Sequence, residues 1–326
     1  MMMAAALACV MLAGCRSNNN ETAVPEAEAP TVYMTSDISA EGLVKVFDAL
    51  GVKPEGRVAV KISTGEAGGN HYLKPELIGD LVKHVNGHLV ECNTAYAGAR
   101  MTTAEHLRLI EDHGFNTIGG VDIMDADGDM QIAVRDTTYI KYDIVGKHLA
   151  DYDYMINLAH FKGHAMGGFG GVLKNASIGV ASTAGKAYIH SNGNTDDANV
   201  LWQSLDDADQ DKFLECMATA AAAVHDYFDG KVIYINVMNN MSVDCDCDGN
   251  PAAPELKDMG ILASTDPVAL DQACLDLVFA HQNGEGDDAT ALKARIEKKH
   301  GIHTVEHAEA IGLGSRKYQL VSIDKE

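Results

Sequence analysis

Positive charge is scarce in this 326-residue chain: 25 lysines and arginines stand against 47 aspartates and glutamates, a formal net charge of −22. The acidity is spread along the sequence. Such a surface repels phosphate backbones and anionic lipid heads, so nucleic acid is not an expected partner and no basic patch can serve as a membrane anchor. Long apolar runs are missing too. The one candidate, residues 1–14 (MMMAAALACVMLAG), is too short to span a bilayer as a helix. No internal repeat is visible. What the chain does have is apolar content: at 46% it can bury a full core.

The first apolar run ends in Leu12-Ala13-Gly14-Cys15. Small residues just before a cysteine form the pattern of a bacterial signal peptide whose removal frees a thiol for acylation. No Lys or Arg precedes the run, which points to a start codon further upstream. Residues 16–31 (RSNNNETAVPEAEAPT) are polar, aperiodic and Pro-containing, the composition of a solvated tether. The expected organisation is therefore a lipoprotein signal peptide at 1–14, a flexible tether at 15–32 and a body at 33–326. Lipid on Cys15 would hold that body in the cell envelope, outside the cytoplasm, on the cytoplasmic or the outer membrane.

Strand, loop and helix signals alternate through the body. Ser39 precedes Leu43, Val46, Phe47 and Leu50, a capped amphipathic helix ended by Gly51. Arg57–Ser63 and His88–Cys92 read as strands, with a helix opened by Pro75 between them. Thr102 and Glu105 form a capping-box pair. Strands are expected around Met130–Val134, Tyr139–Val145, Tyr154–Ala159, Lys231–Met238, Gly260–Ser264 and Tyr318–Ile323. An alanine-rich helix is expected over 211–228, and Asp266-Pro267 caps another. This alternation predicts an α/β fold, mostly parallel β-sheet flanked by helices, as one body or as two lobes around a cleft. Functional loops then belong at the carboxyl ends of the strands.

Acid disappears between Asp153 and Asp196, where the chain's average would place roughly six acidic residues. The window holds His160, His164 and His190, Lys162, Lys174 and Lys186, and glycines at 163, 167, 168, 170 and 171. A strand delivers the chain into this glycine-rich segment, and Val172-Leu173-Lys174-Asn175 looks like a helix start. Glycines allow backbone N–H groups to approach a ligand, and a helix N-terminus favours an anion. On so acidic a protein, a cationic pocket would draw in a small anionic ligand. The spacing matches neither a phosphate-binding Walker loop nor a dinucleotide fingerprint. The competing interpretation is a mobile surface loop with solvated lysines.

With Cys9 lost in the signal and Cys15 acylated, Cys92, Cys216, Cys245, Cys247 and Cys274 remain. Five is odd, so they cannot all pair. Cys216 and Cys274 lie in apolar helical patterns as buried thiols. Cys245 and Cys247 sit in Asp-Cys-Asp-Cys-Asp (244–248). Extended backbone would turn both thiols to one side as a soft clip for a metal, and His160 and His164 could complete a set for zinc or iron. A disulfide within the motif, or two inert thiols, are the alternatives.

These segments together resemble the domain of unknown function 362 family, whose members are often labelled uncharacterised Fe-S center proteins. The resemblance is carried by VAVKISTGE (58–66), ECNTAYAGAR (91–100), HGFN (113–116), HFKGHAMGGFGGVLKNASIGVASTAGK (160–186), INVMNNMSVDCDCD (235–248) and DMGILASTDPVALDQACLDLV (258–278). It implies that Lys61, Asn93, Tyr96, Arg100, His160, Lys162, His164, Lys174, Asn175, Lys186, His190, Cys245, Cys247 and Asp266 occupy family motif positions, several of them in one cleft. It implies no reaction. Many members carry a ferredoxin-like insert after the AGK motif. Residues 187–212 here contain no cysteine, so a ferredoxin-type 4Fe-4S cluster is not expected.

The expectation is an envelope protein that binds a metal or a small anion, with enzyme and non-enzymatic carrier both open and a partner-docking lipoprotein as the third class. If there is chemistry, His160 or His164 would move protons while Lys162 and Lys174 hold developing negative charge. Gly168, Gly170, Gly171 and Asn175 would line the ligand site.

Overall fold

The computed structural model describes residues 28–203, 205 and 209–325. The expected signal peptide, Cys15 and all but the end of the tether lie outside the described residues. In chain order the elements are β1 (Thr31–Thr35), α1 (Ala40–Ala49), β2 (Val58–Lys61), α2 (Pro75–His84), β3 (Gly87–Glu91), α3 (Thr103–Asp112), β4 (Val121–Ile123), β5 (Asp129–Ile132), β6 (Asp143–Gly146), β7 (Tyr154–His160), β8 (Lys162–His164), β9 (Gly168–Gly170), α4 (Val172–Ala176) and α5 (Thr183–His190). They continue with α6 (Gln210–Tyr227), β10 (Val232–Met238), β11 (Gly260–Ser264), α7 (Pro267–Ala280), α8 (Thr290–Lys298), α9 (Ile302–Ala310) and β12 (Gln319–Ser322).

Helix starts follow their local signals. Ser39 Oγ accepts from the amide of Gly42 at 3.0 Å. Thr102 Oγ1 accepts from the amide of Glu105 and donates to its carboxylate. Asp266 accepts from the amides of Val268 and Ala269, with Pro267 at the first helical position. Each such cap satisfies donors that helical geometry leaves open.

One eight-stranded sheet organises the body, in the order β12-β1-β11-β10-β7-β2-β3-β4. Pairing is parallel from β10 through β7, β2 and β3 to β4, and again between β1 and β12. Only β11 runs antiparallel to both its neighbours. The fold is thus α/β with a mostly parallel sheet, as the alternating pattern predicts. The strands expected near 130 and 145 exist, but they pair with each other as β5 and β6 in a separate antiparallel ribbon. The sheet also takes in β1 from Thr31 onward, two residues inside the segment whose composition suggested tether.

Successive residues of a strand face opposite sides. Ile233, Ile235 and Val237 of β10 meet Leu43 and Phe47 of α1 and Ile78 and Leu81 of α2 in one core cluster. Val232, Tyr234 and Met238 meet Leu173 of α4, Ala221 of α6, Leu270 of α7 and Val305 of α9 in another. Burial on both faces is why the strand sequences are almost continuously apolar. Each fully buried isoleucine contributes about 1.5–3 kcal/mol. No helix among the described residues is long and apolar enough to cross a membrane.

Candidate functional site

Lys61 ends β2, Glu91 ends β3 and His160 ends β7, and the segment carrying both motif cysteines leaves the end of β10. These strands are neighbours and parallel, so their last residues share one edge. From β2 the chain moves outward to β3 and β4, then returns on the other side of β2 as β7. A crevice opens at the carboxyl edge where strand order reverses.

Glu91 is the floor of that crevice. Its carboxylate accepts from Lys61 Nζ at 3.1 Å and from Arg100 at 3.3 Å, with all three side chains buried. Burial opposes its charge, yet Lys61 and Arg100 together bring it down to about 2. Arg100 also reaches Glu66 at 3.3 Å and donates to the Tyr96 hydroxyl at 2.6 Å. Asn175 locks the arrangement: its Oδ1 accepts from Lys61 Nζ, and its amide donates to the Lys61 carbonyl and to Asn157.

The glycine-rich segment is a buried hairpin and not an open loop. β8 and β9 pair antiparallel, Lys162 with Gly170 and His164 with Gly168. A Cβ on Gly163 would lie 2.1 Å from the carbonyl oxygen of Val243, so this glycine permits a backbone crossing. The helix start at Val172 is likewise closed to ligands. Asp271 of α7 accepts from the amides of Val172 and Leu173 at 2.9 and 3.0 Å. An internal carboxylate already occupies the place where the sequence suggested an external anion.

His160 and His164 lie in different surroundings. His160 Nε2 donates to the Asn239 carbonyl, and its Nδ1 stands 3.1 Å from Asp246. Lys162 Nζ meets both Asp246 and His160 Nδ1. Burial opposes ionisation of Asp246, but Lys162 and His160 hold it well below the usual carboxylate range. His164 is buried and accepts at Nδ1 from the amides of Gly167 and Met166. Only a lone pair accepts, so the ring proton sits on Nε2. Burial keeps this ring well below the ordinary histidine range, hence neutral.

Cys245 and Cys247 occupy a turn and are joined as a disulfide. Ligand atoms of His164, Cys245 and Cys247 lie within 4.8 Å of one another, a group that could hold a metal ion. His160 is outside that group. Ligation would require the disulfide to be reduced. It would also require His164 to rearrange its proton or its Nδ1 contacts, because a ligating histidine normally donates from its second nitrogen.

Above Glu91 a cavity of about 480 Å³ opens to solvent. Tyr96, Arg100, His164, Lys174, Lys186, His190 and Cys247 line it, with Trp202 toward the outside, 53% exposed. A chamber of about 30 Å³ adjoins it, shares Lys174, Asn175 and Cys247, and contains His160, Lys162, Gly170 and Gly171 in its wall. It has room for roughly one or two waters. Lys186 Nζ donates to the Ala181 carbonyl, and His190 Nδ1 donates to the Lys186 carbonyl. His190 therefore keeps a lone pair on Nε2, and burial pushes it down to about 4.

Lys174 differs from every other cation here. Its ammonium has no hydrogen-bond or ion-pair partner among the described residues. Burial first, then Arg100, Lys162 and Lys61, push it down to about 7.

Three of the motif residues serve elsewhere. Asn93 bonds Thr103 and sits beside Asp125, lining a separate shallow acidic pocket. Gly168 packs on Gly301 at the hairpin turn. Asp266 caps α7 and accepts from the amide of Ser315. Reasoning from the acid-free window missed the acids that matter, Glu66 and Glu91. For Glu91 the available signal was a glutamate closing an apolar strand, in LVEC.

Residues 58–276 match the family described as Domain of unknown function (DUF362). No curated protein matches the chain. Among solved structures, the lactate racemase apoprotein from Thermoanaerobacterium thermosaccharolyticum is similar at 13% identity and a TM-score of 0.40, over 76% of this chain and 57% of that one. A protein from Thermotoga maritima is similar at 12% identity and a TM-score of 0.35, over 85% of this chain and 59% of that one. The chain spans under three fifths of either structure. With the family matched from β2 to α7, across the whole crevice, the chain belongs to the domain of unknown function 362 (DUF362) family.

Proposed function

We propose that this chain binds a small anionic compound in the cavity at the carboxyl edge of its sheet, with Lys174 as the anchoring cation. The observation that carries this reading is the half-buried, unpartnered Lys174 ammonium facing a 480 Å³ cavity. A cation removed from water without a counter-ion is costly. An anion supplied from outside removes that cost. The buried charge points the same way: Lys61, Arg100, Lys162 and Lys186 meet Glu66, Glu91 and Asp246, while Asp248 and Asp244, the latter paired with Arg295, line the cavity nearer the surface. The test is calorimetric titration with phosphate, sulfate, oxalate and pyruvate, repeated on Lys174→Met. Binding of at least one anion that is lost in the variant supports the reading. Equal binding by both proteins, or none by either, refutes it and leaves a partner-docking role.

A second ligand is favoured by the proximity of His164, Cys245 and Cys247. After reduction, these residues would take a soft or borderline ion such as zinc or iron. Elemental analysis of anaerobically reduced protein, beside the Cys245→Ser, Cys247→Ser double variant, decides it. Equal metal in both proteins would sink the idea.

The body is further proposed to act outside the cytoplasm on a lipid at Cys15. The Leu-Ala-Gly-Cys sequence supports this, and palmitate labelling of whole cells, lost in Cys15→Ala, tests it.

A further inference from the structure

We propose that Lys174 condenses with the carbonyl group of a small oxo acid held in the cavity, forming an imine. This deepens the anion-binding reading and rests on it. A lysine serves as a nucleophile only when its amine carries a free lone pair and meets its target away from water. Lys174 meets the first condition by position, and its half-buried place in the cavity wall goes part of the way to the second. No acceptor among the described residues ties down its Nζ, and burial beside Arg100, Lys162 and Lys61 favours the neutral amine. The three buried lysines around it are engaged: Lys61 with Glu91, Lys162 with Asp246, Lys186 with the Ala181 carbonyl.

The cavity supplies complementary proton carriers. His164 presents an N–H at Nε2, because backbone amides occupy its Nδ1. His190 presents a lone pair at Nε2, because its Nδ1 donates to the Lys186 carbonyl. Both rings line the same cavity as Lys174. The step balances without a redox partner. Nζ attacks the carbonyl carbon, both amine hydrogens move to the carbonyl oxygen, and that oxygen leaves as water as the C=N bond forms. His190 can accept the amine proton, and His164 can donate a hydrogen bond to the carbonyl oxygen.

An oxo acid fits better than a neutral aldehyde. With Lys174 consumed as a neutral imine, the buried groups still count four cations, Lys61, Arg100, Lys162 and Lys186, against three acids, Glu66, Glu91 and Asp246, while Asp244, paired with Arg295, and Asp248 line the cavity nearer the surface. A carboxylate beside the carbonyl would meet that residual positive field.

The experiment incubates the purified chain with pyruvate, glyoxylate or 2-oxoglutarate and sodium cyanoborohydride, followed by intact mass and peptide mapping. The expected result is one reduced adduct per chain, mapped to Lys174, suppressed by excess oxalate and absent from Lys174→Arg. Circular dichroism of the variant checks that it is folded. Adducts scattered over exposed lysines, or an unchanged adduct in Lys174→Arg, overturn the proposal. Calorimetry with oxalate, which has no ketone or aldehyde, separates the two readings. Oxalate binding with no Lys174 adduct from any of the three acids overturns the imine and leaves the anion site standing. Absence of both overturns both.

Discussion

A Cβ added to Gly171 would lie 2.3 Å from Oδ1 of Asp271. The same carboxylate holds the amides of Val172 and Leu173, and Asn236 donates to it at 2.7 Å. Glycine at 171 thus lets α7 seat the start of α4, and α4 carries Lys174 and Asn175. Gly171→Ala is expected to lower unfolding stability by about 1–3 kcal/mol through overpacking. Because α4 must shift, anion affinity should fall as well. Urea denaturation and calorimetry on the same preparation check both parts.

Glu91 should control acid stability. In the folded chain it titrates at about 2 instead of 4.5. Its ionised form therefore contributes about 3 kcal/mol, fully present above pH 4.5 and lost as pH falls toward 2. Glu91→Gln leaves Lys61 and Arg100 buried without that counter-charge, at a cost of about 3–5 kcal/mol near neutral pH. Urea melts across this range should show a steep loss for the wild type and a lower, flatter profile for the variant.

Anion affinity should depend on pH through Lys174. Its amine is pushed down to about 7, so the cation is present below that value and disappears above it. Affinity for oxalate is expected to hold at pH 6 and to weaken by about tenfold per unit well above pH 7. Calorimetry at several pH values in buffers of different ionisation heat should also detect proton uptake on binding. A flat profile would exclude Lys174 as the anchor.

Thiol chemistry should divide the five cysteines of the body cleanly. Cys92, Cys216 and Cys274 are buried free thiols, and burial pushes Cys216 up to about 12. Under native conditions iodoacetamide should leave all three unmodified. After mild dithiol treatment exactly the Cys245 and Cys247 peptides should gain label, since Cys247 lines the open cavity. Peptide mass mapping reads the result, and label on Cys92 without denaturant would contradict this packing.

Legibility in the sequence followed the range of the interactions. Ser39, the Thr102–Glu105 pair and Asp266-Pro267 announce their helices because each cap is built within a few residues. Alternating apolar segments gave the α/β class for the same reason. The hairpin of β8 and β9 was hidden because glycine spacing does not reveal that Val243 crosses Gly163. Asp271 lies about a hundred residues from the helix it closes, so nothing local warned that the α4 amides were taken. The acid-free window led to side chains that line the cavity at the carboxyl edge of the sheet, among them His164, Lys174, Lys186 and His190. It could not show that Glu66, from the loop after β2, and Glu91, at the end of β3, enter that neighbourhood and leave Lys174 without an ion-pair partner among the described residues.

The direction of β1 carries a consequence for the whole molecule. It runs antiparallel to β11, which runs antiparallel to β10, so β1 points the same way as the strands that end at the cavity. Thr31, its first residue, consequently stands at the sheet's opposite edge. The chain therefore enters the sheet on the side away from the cavity. In the proposed lipoprotein, the link from Cys15 would thus join the body on the side away from the mouth beside Trp202, leaving that mouth clear of the attachment point.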